Sequence, residues 1–126
     1  MTMLQSHKVD FRILDRPDVP INKHAAGATI VQKGDPATEM FLVRKGRVGI
    51  QIDGNTIEEV EQGGIFGEMA LIDHEPRSAA VVAIEDAEII PIDERLFVIL
   101  VQDAPYFALD IMRVLTDRIR RMNQRL

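Results

Sequence analysis

Between Val19 and Ile92 the apolar residues come in short bursts broken by glycine, aspartate, asparagine and proline. That is the pattern of strands and turns, because a strand sends alternate side chains to opposite faces and a turn needs residues that tolerate unusual backbone angles. Strands are predicted over Val19 to Lys23, Thr29 to Gln32, Met40 to Arg44, Val48 to Ile52, Thr56 to Glu61, Ala79 to Ile84 and Glu88 to Ile92. Between them stand Ala25-Ala26-Gly27, Lys33-Gly34-Asp35-Pro36, Lys45-Gly46-Arg47 and the hairpin signal Asp53-Gly54-Asn55. Val48, Ile50 and Ile52 alternate with Gly49 and Gln51, so one face of that strand is predicted to be buried. Short strands at near-regular spacing point to a closed antiparallel sandwich or barrel.

After Ile92 the period changes. Asp93 can cap a helix over Glu94 to Gln102, and Pro105 can open a second that lasts to about Arg125. In the second, Phe107, Ala108, Ile111, Val114, Leu115, Ile119, Met122 and Leu126 fall in one arc, which must cover the open end of the β structure or a partner helix. Arg118 lies inside that arc, whereas Arg113, Arg120 and Arg121 lie outside it. Its alkyl stem could cover apolar surface while the guanidinium reaches water. Ahead of the strands, Val9, Phe11, Ile13 and Leu14 suit a short helix or a strand-like arm, stopped by Pro17 and Pro20. The division is an N-terminal arm over 1–18 and one domain over 19–126, with β structure to about 93 and helices over about 94–125.

The 126 residues, 46% hydrophobic and 28% charged, are enough for a single soluble domain with its own core. No apolar run approaches a bilayer span and no signal peptide opens the chain, so the expectation is a cytoplasmic protein without a membrane partner. The absence of cysteine excludes disulfides and thiolate metal sites. A net charge of -5 argues against general nucleic-acid binding, so any anion site must be local. Arg118, Arg120, Arg121 and Arg125 are explained by the helix dipole and solvent. His7, His24 and His74, one in the arm and two in turns, make no metal-ligand set, and no histidine stands near Ser78 to activate it. No enzyme, metal or cofactor is expected.

One stretch departs from the strand pattern, from Gly63-Gly64-Ile65-Phe66-Gly67-Glu68 to Arg77-Ser78-Ala79-Ala80-Val81. Its glycines allow the backbone to approach a ligand, and Gly67 stands before the helix-forming run Glu68 to Ile72. The free N–H groups of such a turn, the planar fork of Arg77 and the hydroxyl of Ser78 suit a phosphate. Glu68 suits a sugar hydroxyl beside it. An ordinary surface ion pair between Glu68 and Arg77 is the plainer alternative.

Phe66-Gly67-Glu68-Met69-Ala70-Leu71-Ile72 followed by Pro76-Arg77-Ser78-Ala79-Ala80-Val81 resembles the phosphate-binding cassette of cyclic nucleotide-binding domains. The spacing of Gly34, Asp35, Phe41, Val43, Gly46 and Val48 resembles the first half of the same family. The resemblance implies a mainly β fold with α, an antiparallel β jelly-roll barrel with a short cassette helix and two C-terminal helices. It implies a regulatory module for cAMP or cGMP, with the ribose on Glu68 and the cyclic phosphate on Arg77. Gly67, Met69, Ala70, Ser78 and Ala79 would surround them, and Ile50 and Arg118 would form the base pocket and lid. Ser78 leaves cGMP open beside cAMP. With no membrane helices or helix-turn-helix in this sequence, the module would signal through its C-terminal helix to a separate protein effector, or as a homodimer through that helix. The alternative is a jelly-roll interaction protein that binds another anion or no nucleotide.

Overall fold

Strand boundaries in the computed structural model, which describes residues 3–4 and 8–124, fall largely where the turn residues put them. The strands are β1 (Met3–Leu4), β2 (Asn22–His24), β3 (Thr29–Val31), β4 (Glu39–Lys45), β5 (Arg47–Ile52), β6 (Asn55–Glu61), β7 (Ile65–Phe66), β8 (Ala80–Ala83) and β9 (Ala87–Asp93). They are followed by α1 (Glu94–Asp103) and α2 (Tyr106–Gln124). Asp53 and Gly54 reverse the chain between β5 and β6 with φ of 52° and 79°. Gly46, at φ 86°, lies so close to the Asp86 carbonyl that a Cβ would have no room. Asp93 caps α1 by accepting from the Leu96 N–H at 2.8 Å.

One sheet runs β1-β6-β5-β8-β3 and the other β2-β9-β4-β7. Every pairing is antiparallel except β1 with β6. Among the described residues no strand pairing joins the sheets, so the jelly roll is an open pair of sheets and not the closed barrel the spacing suggested.

Two cores result. Between the sheets lie Phe41, Val43, Val48, Val60, Phe66, Val81 and Ile89. On the other side of the four-stranded sheet, Met40, Leu42, Ile65, Ile90 and Ile92 meet Leu100 of α1 and Phe107, Ile111 and Val114 of α2. Residues from the 1–18 arm enter this second core, since Val9 and Leu14 pack there beside Val19. The arm's apolar residues form a 3-10 turn, Phe11–Leu14, capped by Asp10.

Several expectations change. β2 starts at Asn22, and His24 lies in that strand rather than in a turn. His7, Arg125 and Leu126 fall outside the described residues. Ile65–Phe66 forms a strand because it pairs with Phe41 and Leu42. Gly63 and Gly64 serve the turn before it, bonding to the Val43 backbone at 2.8 and 2.9 Å and not lining the candidate cavity. Ile52 is 40% exposed, because a register shift between Ile50 and Gln51 breaks the buried face. The apolar arc of α2 is covered only in its first half, with Ile119 58% and Met122 53% exposed.

Candidate functional site

The chain leaves β7 through Gly67, whose φ of 71° suits glycine and turns the backbone back on itself. The following turn, Glu68–Leu71, is a 3-10 helix rather than an α-helix. The irregular segment ahead of β8 brings Arg77 beside the Gly34-Asp35 turn. The Arg77 N–H donates to the Asp35 carbonyl at 2.9 Å, and Gly34 N–H donates to the Arg77 carbonyl at 2.8 Å.

The hydrogen bonds of the Arg77 guanidinium go to backbone carbonyls. Its Nη1 donates to the Gly67 carbonyl at 3.1 Å and its Nη2 to the Glu39 carbonyl at 2.6 Å. It stands 5.2 Å from the centroid of the Phe41 ring, which stacks on Phe66 at 5.0 Å. A Cβ on Gly67 would come within 2.6 Å of Nη1, so only glycine lets the guanidinium settle there. Burial lowers the pKa of Arg77, and the Glu39 and Asp35 charges oppose that shift. Among the described residues no carboxylate forms an ion pair with it.

A cavity of about 390 Å³ opens in front of Arg77, in the size range of small-molecule sites. Gly67, Ser78 and Ala79 line it beside Arg77, and Glu68, Met69 and Ala70 line it from the 3-10 turn. Ile50 and Arg118 line it as well. All nine residues expected at the site are therefore brought together. Met69 and Ser78 are the exposed members.

Glu68 is only 7% exposed, and it is not paired with Arg77. Its partner is Arg118 of α2, whose Nη1 donates to the Glu68 carboxylate while Nη2 donates to the Ile65 carbonyl at 3.1 Å. The Arg118 Nε lies 3.3 Å from the carboxylate of Glu58. The guanidinium is thus buried among acids instead of reaching water over its stem. Burial lowers the Arg118 pKa; Glu58 raises it and Arg121 lowers it further. Arg121 is likewise directed inward, 4.0 Å from Glu58 and 3.4 Å from Asp117, so two of the four basic residues near the end of α2 serve ion pairs rather than solvent.

Glu58 was not singled out in the sequence, yet a signal was there. It shares a face of β6 with buried Val60, two positions on. Phe41 was legible only as part of the spacing from Gly34 to Val48, since its role beside Arg77 depends on contacts with β7 and that guanidinium.

A sequence model of the cyclic nucleotide-binding domain matches residues 21–104, from β2 to the end of α1. The chain belongs to the cyclic nucleotide-binding domain family. It is 30% identical over 99 residues to the Pycsar effector protein XpPycTIR of Xanthomonas perforans, covering 78% of this chain and 33% of that protein. It is 36% identical over 93 residues to a cyclic nucleotide-gated potassium channel of Rhizobium etli, covering 74% of this chain and 26% of the channel. The chain thus spans a third or less of each of these curated relatives. Among solved structures, the Thermus thermophilus catabolite activator protein superposes with a TM-score of 0.72 at 28% identity, over 85% of this chain and 53% of that one. In this cyclic nucleotide-binding domain α2 and its Arg118 lie beyond the matched segment. No helix of the described residues is long and apolar enough to cross a membrane.

Proposed function

We propose that the chain is a cyclic nucleotide-sensing module that takes cAMP or cGMP in the cavity before Arg77. One observation carries this reading: a guanidinium with backbone partners and, among the described residues, no ion pair faces the same cavity as a buried carboxylate, Glu68. The free charge suits the cyclic phosphate and the carboxylate suits a ribose hydroxyl. The apolar lining of Val31, Ile50 and Val81 suits a purine face, and Ser78 beside Arg77 keeps cGMP open.

In this reading the ligand is a signal and no catalytic step is performed. The protein is taken as cytoplasmic. α2 carries the signal, since Arg118 reaches the cavity from it, and the separate protein effector is its receiver. Leu109, Met112, Ile119 and Met122 leave an exposed apolar face on α2 that supports a homodimer through this helix.

Calorimetric titration with cAMP, cGMP and linear AMP tests the reading. Saturable binding of a cyclic nucleotide, with AMP much weaker, is expected. At about 100 times the dissociation constant the ligand should add about 2.7 kcal/mol of stability. No heat of binding and an unchanged melting temperature at millimolar cAMP and cGMP would favour the interaction-protein alternative.

A further inference from the structure

The cavity floor is one cross-strand row. Val31 of β3 pairs with Val81 of β8, Val81 with Ile50 of β5, and Ile50 with Glu58 of β6. Directly opposed residues in neighbouring strands project from the same face, so the row points as a unit into the space between the sheets, and α2 reaches it at the Glu58 end. Its first three members line the cavity. The fourth is a carboxylate only 5% exposed. A charge at that depth needs a counter-charge, and α2 supplies it through Arg118 and Arg121.

The Arg118 guanidinium is therefore shared. Its Nε edge faces Glu58 and its Nη1 serves Glu68, while the Ile65 carbonyl takes Nη2. A ligand hydroxyl that uses Glu68 must share that carboxylate with Arg118 or displace it. Whether displacement is cheap depends on what Arg118 keeps. With Glu58 in place, the guanidinium retains a buried counter-ion after turning from Glu68. Without that charge, Glu68 becomes its carboxylate partner alone, and leaving it would strand a buried cation.

We infer that Glu58, outside the cassette, is a positioning residue for ligand recognition that acts through Arg118 to set how readily Glu68 is released to a hydroxyl-bearing ligand. The inference rests on the nucleotide reading of the cavity.

Glu58→Gln keeps the shape and removes the charge. Calorimetry with the better-bound of cAMP and cGMP should show an affinity about tenfold weaker, within the range of coupled neighbours. Glu58→Asp, which retains the charge, should recover most of that loss. In an Arg118→Met background the Glu58→Gln substitution should change affinity by less than about twofold, since the residue it acts through is gone. An unchanged affinity in Glu58→Gln, an equal loss in both backgrounds, or no recovery with Glu58→Asp would overturn the inference.

A second readout needs no nucleotide. The Arg118 Nε–H resonance of the free protein should shift in Glu58→Gln, and an unmoved resonance would overturn Glu58's hold on Arg118. Failure of the wild-type protein to bind either nucleotide would instead sink the reading of the cavity, while the resonance still decides whether Glu58 positions Arg118.

Discussion

Arg77 and Arg118 face one cavity and are held in opposite ways. Arg77 is tied by the carbonyls of Gly67 and Glu39 and backed by Phe41. Carbonyl dipoles fix its position without cancelling its charge, so a net cation is presented to the cavity. Arg118 is held by Glu58 and Glu68, and its charge is spent inside the protein. The difference teaches that counter-ions, not residue type, decide which arginine attracts a phosphate. A phosphate at Arg77 completes a charge pair, whereas at Arg118 it would compete with two carboxylates already in place.

The largest effect should come from the open arginine. Arg77→Ala is expected to cost roughly 2 to 5 kcal/mol of nucleotide binding while changing the stability of the nucleotide-free protein much less. Its backbone bonds to Gly34 and Asp35 survive the substitution. Titration beside denaturant unfolding separates the two quantities, and an unchanged affinity would erase the contrast.

Arg118→Ala should show the reverse weighting. It leaves Glu58 and Glu68 buried without their shared cation, and removing one partner of a buried pair costs about 3 kcal/mol of stability. Binding should fall by less, on the order of 1 to 2 kcal/mol, the scale of a desolvated cation stacking on a purine bound against the Arg118 wall of the cavity. A variant as stable as wild type in urea would show that the clasp contributes nothing.

The smallest effect belongs to the exposed Asp10–Arg12 ion pair. Hydrogen bonds from the Arg12 side chain and backbone hold Asp10 at a pKa of about 2, below its ordinary 3.8. Because the folded value is the lower one, this contribution is present above about 3.8 and is lost as the pH falls towards about 2. The melting temperature of Asp10→Asn should therefore lie slightly below wild type at neutral pH and converge with it in that acid window. A gap that persists at pH 2 would assign the effect to something other than this ionisation.

What could be read along the chain was local chemistry. Asp53-Gly54 sets its hairpin and Asp93 its helix cap through their own backbone and nearest neighbours. The cassette residues were legible for the same reason, being close in sequence and fixed in spacing. Ile65–Phe66 became a strand only by pairing with Phe41 and Leu42, which no local propensity reveals. The alternation of Thr56, Glu58 and Val60 put a carboxylate on an inward face, but its counter-ion stands 60 residues later on another element. Helical periodicity found the apolar arc of α2 without telling how far the sheet extends beneath it, so Ile119 and Met122 emerge in solvent. Closure of the β structure depends on pairing between sheets, a long-range property that regular strand spacing does not fix.

The two cores share their walls. β4 sends Met40 and Leu42 towards the helices and Phe41 and Val43 between the sheets, and β9 divides Ile90 and Ile92 from Ala87 and Ile89 in the same way. Neither core can lose its packing without exposing one face of these shared strands to water. Melting is therefore a collective event: lifting α2 at its far end must first break the buried ion pairs of Arg118 and Arg121, and peeling back as far as Phe107 would unroof β4 and β9 and take the sandwich with it. The hinge between local motion and global unfolding thus lies partway along one helix, where its inner face passes from apolar side chains to buried charge.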